Sequence, residues 1–472
     1  MAASSVTAIL IAASLAPGEY GAYAVAAGLA GVLSASLDLG LTSSLARYIA
    51  QGRGTPRLVG HIALARGALM LFIAAIVVGV SFLLDPADHP SQRFLPVAGA
   101  IIVAQGAIAF LYGALPSMRR IRLLLTVTVI QPILELIAVA IIAARGGGAT
   151  DMLLAAAGAA TAGAIIGYAS LAIRHTGMRQ PHRAGEQDAP AVTLRDVATY
   201  GRQLFLVTLL MFVFGQIDQV VIALFHSARE VAPYALAIKL QALLTAPAIT
   251  ASGVVAPRIA GAGRSALAAY RQWAGFYLVT YIGAAILAAL LAGDVFHAIN
   301  VAYSNDSGVL IALLPFIVLS SLATLPSITL NQVGHAGDRL RIAAISLTIN
   351  AVLDFALIPP MAAYGAAIST SVAFAFYAGA HHRILVRVLR EAHAPDADTV
   401  AADATATRAL LRGGVFAVAV GTALSLILRP LIEHVVAGDG RAEAVAVTLG
   451  AGVVPGMVLV ALAARAVRHR AA

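Results

Sequence analysis

The sequence predicts an all-α polytopic membrane protein of about fourteen transmembrane helices, arranged as two parallel six-helix bundles plus two extra C-terminal helices. Three observations predict this fold class. Of the 472 residues, 60% are hydrophobic and 11% are charged, and the mean hydropathy is +0.89, whereas soluble chains carry about 25% charged residues. Basic side chains are distributed unevenly among the loops, and a segment of the first half recurs in the second.

The individual helices are predicted from long apolar stretches, because a bilayer-spanning helix needs about 20 apolar residues. These stretches are too long, and alternate too little between polar and apolar residues, to be barrel strands. The predicted spans are 1–16, 20–44, 58–84, 94–116, 121–144, 152–173, 200–225, 231–256, 273–299, 308–333, 340–359, 362–381, 409–428 and 444–464.

Two longer and more polar connections divide the chain. We predict an N-terminal six-helix bundle at 1–173, a cytoplasmic linker at 174–199 and a C-terminal six-helix bundle at 200–390. A second cytoplasmic linker at 391–407 precedes 408–472, which holds two additional helices and a basic tail.

Basic residues indicate the orientation. Loops after even-numbered spans, together with the C-terminus, hold 25 of the 31 Lys and Arg residues, including Arg66, and loops after odd-numbered spans hold 5. The positive-inside rule then places the even loops and both termini in the cytoplasm, which fits a multi-pass protein of the inner (cytoplasmic) membrane. The arginines flank spans and form no single patch, so the sequence argues against nucleic acid as a partner.

An internal repeat indicates how the halves are related. Residues 19–53 align with 230–264 without gaps at an offset of 211, with 10 identities in 35 positions. The offset covers an even number of spans, so the halves are predicted to run parallel, with a substrate site between them. Span 7 begins at Tyr200, and 200 − 211 places its counterpart before Met1. We therefore expect the assigned start to lie too far downstream, or the chain to be truncated. The matches include Glu19/Glu230, Tyr23/Tyr234 and Arg47/Arg258.

Two segments resemble a known family. The first, 15–50, contains a Pro-Gly-Glu-Tyr-Gly turn (17–21), Asp-Leu-Gly-Leu (38–41) and a helix-ending Arg-Tyr (47–48). The second, 350–370, contains an Asn, an Ile-Pro exit and Gly-Ala-Ala. Both are similar to polysaccharide-biosynthesis flippases of the multidrug/oligosaccharidyl-lipid/polysaccharide exporter superfamily. Those proteins usually carry a small polar residue where this chain has Asp354.

The resemblance implies a flippase that moves a lipid-linked oligosaccharide or polysaccharide precursor across the cytoplasmic membrane by alternating access. Its partners would be that substrate, membrane lipids, and glycosyltransferases or a polymerase of the same pathway. One alternative is a cation-coupled drug or small-molecule exporter of the same superfamily. Another is a membrane-embedded saccharide polymerase or transferase, which the short outer loops disfavour, and a non-transporting scaffold is a third.

Ionisable groups within spans are the best functional candidates, because each costs about 2.5–3.5 kcal/mol at a helix centre. Asp218 and Lys239 lie at similar depths on neighbouring spans, at about 10 and 12 Å from the outer ends for a rise of about 1.5 Å per residue. We predict that Lys239 attracts an anionic pyrophosphate headgroup and that Asp218 holds Lys239 when substrate is absent. A structural ion pair is the alternative.

Other candidates have two interpretations each. Asp38 can pair with a basic loop or act in transport. Arg47 and Arg258 can extend to the inner interface or bind an incoming lipid phosphate. Glu135 can be a proton or cation site, or can be a neutral hydrogen-bond donor to a neighbouring helix. Asp354 is a candidate for a coupling or substrate role.

Several chemistries are not indicated. The chain has no cysteine, so thiolate catalysis and thiolate metal sites are excluded. No G-x-x-x-x-G-K-[ST] or H-E-x-x-H motif occurs, and His381-His382 is interpreted as interfacial. The sequence therefore predicts no enzyme, no catalytic residues, no metal and no cofactor.

Overall fold

The computed structural model describes residues 2–36, 40–50, 56–83, 94–118, 120–173 and 193–392. In these ranges every regular element is helical, as predicted. Two short 3-10 helices, Gly263–Ser265 and Val301–Tyr303, flank α10. The α-helices are α1 (Ala2–Ser14), α2 (Pro17–Ser36), α3 (Leu41–Ala50), α4 (Pro56–Ser81), α5 (Leu95–Ser117), α6 (Ile121–Ala144), α7 (Ala149–Ile173), α8 (Leu194–Phe225), α9 (Ala228–Ala260), α10 (Ala266–Ile299), α11 (Gly308–Gln332) and α12 (Ala336–Ala392).

Eight helical stretches in the described ranges are long and apolar enough to cross a membrane. They lie in α4 to α7 and in α9 to α12. The predicted spans 409–428 and 444–464 lie outside the described residues, so the count of fourteen stays a prediction.

The chain forms two compact units. Unit A is Gly18–Val220, and unit B combines Met1–Pro17 with Val221–Ala472. The bounds of these units differ from those of the predicted bundles at 1–173 and 200–390, and the predicted division stays a prediction.

Unit A is built around α5, which packs against α3, α4, α6 and α7. One core cluster joins Leu45 of α3, Ile62 of α4 and Phe110 of α5. A second joins Ile108 of α5 to Val127 of α6 and to α7. Small residues permit these close approaches: a Cβ at Gly163 of α7 would lie 2.8 Å from the Ile108 side chain.

The predicted span 20–44 is not one continuous helix. α2 ends at Ser36, α3 begins at Leu41, and Gly40 between them has a φ of +69°. A Cβ at Gly40 would also overlap the backbone carbonyl of Gly201 on α8.

The predicted turn at 17–21 is also wrong, because Pro17 begins α2. Proline suits the first helical position, since its missing N–H has no intrahelical partner there.

Unit B is built around α11, which packs against α9, α10 and α12, and α1 packs on α9 and α10. Its core contains an aromatic series along α10, with Tyr270, Tyr277 and Tyr281 buried against α9, α11 and α12. The Tyr277 and Ser252 hydroxyl oxygens lie 3.1 Å apart, which satisfies both buried groups.

α12 consists of two antiparallel arms, residues 336–361 and 363–392. Ala362 separates them with φ 47° and ψ −126°, a left-handed φ that few non-glycine residues adopt. Side chains at 350 and 354 of the first arm contact residue 369 of the second. This hairpin agrees with the two predicted spans 340–359 and 362–381.

Candidate functional site

The α12 polar cluster consists of Asn350, Asp354 and Ser369, all fully buried in unit B. The Asn350 amide donates to Asp354 Oδ1 at 3.3 Å and to Ser369 Oγ at 3.4 Å. The Ser369 hydroxyl also donates to Asp354 Oδ1. Asp354 lies seven residues before the end of its arm, at a depth of about 10 Å for a rise of about 1.5 Å per residue. A carboxyl group is therefore held inside an apolar helix pair by two neutral hydrogen-bonding groups.

The turn of the hairpin positions this cluster. Gly365 lies so close to the first arm that a Cβ there would overlap the carbonyl of Leu357 and lie 2.8 Å from the backbone nitrogen of Ile358. The absent side chain lets the second arm lie directly against the first. Ser369 follows Gly365 by one helical turn, so its hydroxyl faces Asp354.

A second set of polar groups lies on α9 in the same unit. The Tyr234 hydroxyl is 3.3 Å from the Thr370 hydroxyl, next to Ser369. Gln241 donates to Thr245 at 3.2 Å and to Ser320 of α11 at 3.4 Å. Lys239 is half-buried on this helix, eleven residues from its start and thus about 17 Å along it.

The arrangement around the α12 polar cluster can bind a proton or a hard cation. Carboxylate, amide and hydroxyl oxygens are the ligands that hard cations prefer. The Oδ1 atom of Asn350 is buried and has no hydrogen-bond partner among the described residues. Groups of three or more His, Asp or Glu side chains that could hold a metal ion do not occur in the described ranges.

Unit A contains its own membrane-embedded carboxyl group. Glu135 is half-buried on α6 and accepts a hydrogen bond from Gln131 at 3.2 Å. Gln131 in turn accepts one from the Tyr112 hydroxyl at 3.1 Å. The Glu135 charge also acts on the Tyr23 hydroxyl of α2. Glu135 is thus hydrogen-bonded within α6, and Gln131 links it to the Tyr112 hydroxyl of α5; both predicted roles of Glu135 stay predictions.

The other sequence candidates are placed separately. Asp218 is buried on α8 beside the buried Gln219, and its predicted pairing with Lys239 stays a prediction. Arg258 is exposed in the last turn of α9, where a cation interacts favourably with the helix dipole. Arg47 belongs to α3, although its side chain, like the whole of Asp38, lies outside the described residues.

Sequence reasoning misplaced Arg66. It lies inside α4, ten residues from Pro56 and thus about 15 Å along the helix, and not in a loop. Its side chain is 2% exposed, and its guanidinium carbon lies 5.4 Å from the centre of the Phe110 ring, within cation–π range. The count of loop charges placed Arg66 with the even loops, although the predicted span 58–84 contains it.

The model of the polysaccharide biosynthesis protein family matches residues 1–262, which is more than half of the chain. The chain belongs to the polysaccharide biosynthesis protein family. No curated protein sequence matches it.

Solved structures place this family member in a known fold. A lipid II flippase, MurJ, in an inward closed conformation, has a TM-score of 0.64 at 12% identity, covering 98% of this chain and 97% of the flippase. An inward-facing multidrug resistance MATE family transporter of the MOP superfamily has a TM-score of 0.63 at 15% identity, covering 83% and 95%. A variant of the Vibrio cholerae MATE transporter VcmN scores 0.55 at 16% identity, covering 83% and 95%.

At these identities the likeness concerns the fold. The polysaccharide biosynthesis family member therefore has the fold of the MOP-superfamily transporters, as the motifs in 15–50 and 350–370 predicted. Together with its apolar helices, this fold indicates a multi-pass membrane protein.

Proposed function

We propose that the protein is a flippase that moves a lipid-linked oligosaccharide or polysaccharide precursor across the cytoplasmic membrane by alternating access. The observation that carries the proposal is the extent of the fold match. The lipid II flippase covers 98% of this chain, whereas the two MATE transporters cover 83%. Membership of the polysaccharide biosynthesis family supports the same substrate class.

Lys239 is the proposed attraction point for the pyrophosphate of such a substrate. It is half-buried on α9, within a candidate membrane span, where a charge is costly and so is seldom retained without a function. Asp218, buried on α8, is proposed to hold Lys239 when substrate is absent. Arg47 and Arg258 are proposed to bind the lipid phosphate as it enters from the cytoplasmic leaflet.

Coupling is proposed for two carboxyl groups within spans. Asp354 is proposed to take up a proton or a cation, because its carboxyl group is fully buried within a span and accepts hydrogen bonds from the neutral side chains of Asn350 and Ser369. Glu135 is the corresponding candidate in unit A.

The second candidate function is a cation-coupled exporter of drugs or small molecules. The observation that favours it is the MATE fold match, whose TM-score of 0.63 is close to that of the flippase. An enzyme such as a saccharide polymerase has no comparable support, because the family and its structural neighbours are transporters.

The test is transport in vesicles reconstituted with the full chain. Fluorescent lipid-linked oligosaccharide in the outer leaflet and a cationic dye in the lumen are followed in parallel, since one assay reports flipping and the other export. We expect protein-dependent flipping, retained in part by Lys239→Arg and lost in Lys239→Gln. Dye export without flipping would favour the second candidate function, a cation-coupled exporter. Flipping at the wild-type rate by Lys239→Gln, at normal protein levels, would show that Lys239 does not belong to the substrate site.

A further inference from the structure

A basic groove lies at the end of the second arm of α12. Its volume is about 460 Å³. All of its titratable side chains are exposed, so the charges face the surroundings. The groove is lined by His382, Arg383, Val386, Arg387, Arg390 and Glu391.

The opposite face of the same helix holds the groove in place. Leu385 and Leu389 are buried in the core of unit B with Ile259 and Tyr270. The Tyr270 hydroxyl lies 2.7 Å from His382 Nδ1, and the two rings are 5.6 Å apart between centroids. The arginines therefore project from a helix that cannot rotate without losing its core contacts.

The position along the helix corresponds to the headgroup layer of a membrane. The second arm begins at residue 363, and about 20 residues cross the hydrocarbon core, so Arg383 lies at its edge. Arg387 and Arg390 lie about 6 and 10 Å further on for a rise of about 1.5 Å per residue. Trp273, the single tryptophan of the chain, follows Tyr270 by one turn of α10, and tryptophan favours this interface.

The charges of the groove suit a phosphate group. Three arginines share the groove with one carboxylate, Glu391, and the charge of Arg271 on α10 also acts on His382. Guanidinium groups bind phosphate oxygens in a bidentate manner. Val386 provides an apolar surface between the arginines, against which the glycerol and upper acyl carbons of a lipid can pack.

We propose that this groove binds the phosphate of an anionic phospholipid headgroup from the leaflet that contains it, which the arginine distribution predicts to be the cytoplasmic one. The proposal goes beyond the transport function and does not depend on it. Inorganic phosphate presents the same chemistry without the acyl chains. The aspartates at 396, 398 and 403 are the competing occupant within the chain.

The test is lipid binding to the purified full chain in neutral detergent, measured by native mass spectrometry. Dioctanoyl phosphatidylglycerol, dioctanoyl phosphatidylcholine and inorganic phosphate are titrated separately. We expect the anionic lipid to bind most tightly. Substitution of Arg387 or Arg390 by Gln should weaken its binding about fivefold each, and Glu391→Gln should strengthen it by a similar factor.

Arg341→Gln is the matched control, because Arg341 is an exposed arginine of the first arm outside the groove. It should leave the affinity unchanged. Equal affinity for phosphatidylcholine or inorganic phosphate would overturn the proposal, as would wild-type affinity in the Arg383/Arg387/Arg390→Gln triple variant. A tenfold or greater gain in affinity in the Asp396→Asn/Asp398→Asn/Asp403→Asn triple variant would show that the chain itself fills the groove, and it would also overturn the proposal. Flipping is assayed on the same preparations, so that a failure of lipid binding can be distinguished from a failure of the proposed transport function.

Discussion

The Nε2 atom of His226 lies 2.8 Å from the carbonyl oxygen of Ile358. Since a carbonyl only accepts hydrogen bonds, Nε2 carries the proton. Ile358 is fully buried and belongs to the last turn of the first arm of α12, where helix carbonyls lack complete intrahelical partners. A side chain that follows α8 thus satisfies the end of the helix that carries Asp354.

Replacing His226 by Ala should lower the free energy of unfolding by about 1–3 kcal/mol, because a buried carbonyl loses its donor. His226→Gln keeps an N–H donor and should recover part of the loss. Thermal unfolding of the purified variants in detergent checks this. Equal stability of the Ala variant and the wild type would mean that the hydrogen bond contributes nothing.

Gly365→Ala should strongly reduce the amount of folded protein. The added methyl would overlap the Leu357 carbonyl, and backbone cannot move aside as a flexible side chain can. Gly379→Ala is the control on the same arm, since a Cβ there meets nothing within 4 Å and alanine gains about 1 kcal/mol of helix propensity. Size-exclusion profiles of the two variants measure the effect, and a normal profile for Gly365→Ala would contradict the close packing of the arms.

Gly40→Ala should also destabilise the protein, for two reasons. Its φ of +69° costs an L-residue about 1–2 kcal/mol, and its Cβ would meet the Gly201 carbonyl. Gly31→Ala, where a Cβ has open space, should be tolerated. Comparison of apparent melting temperatures decides the matter, and a smaller loss at Gly40 than at Gly31 would rule out the close approach of α8.

Asp354→Asn should preserve the fold and remove coupling. The amide occupies the same space but carries no negative charge that could bind a proton or a cation. We expect transport in vesicles to fall by about tenfold or more, which corresponds to about 1.4 kcal/mol in the barrier, and the residual rate to lose its dependence on pH and cation gradients.

Ser369→Ala should weaken the same dependence, because its hydroxyl donates to Asp354. Ser371→Ala is the matched control, since that hydroxyl bonds to Ala367 of its own helix at 2.7 Å. Full gradient dependence in Asp354→Asn would assign coupling to another group, with Glu135 the next to test.

The internal repeat illustrates how far sequence reasoning reaches. Glu19 and Glu230 occupy the first turn of α2 and α9, so the aligned segments begin helices in the same way. Alignment pairs Gly40 with Ala251, yet the chain leaves the helix near Gly40, whereas α9 continues through Ala251. The difference depends on the close approach of α8 to Gly40, which no local pattern contains.

Local sequence by itself determined the helical class and the ends of α6, which match the prediction of 121–144. Hydrophobic length and flanking charge are local properties, and they decide where a helix can cross a bilayer. Only the tertiary structure decided that Arg66 is buried against Phe110 and that Asn350 and Asp354 meet Ser369. Those contacts depend on which helix faces which, and side chains far apart in the chain set that choice through packing.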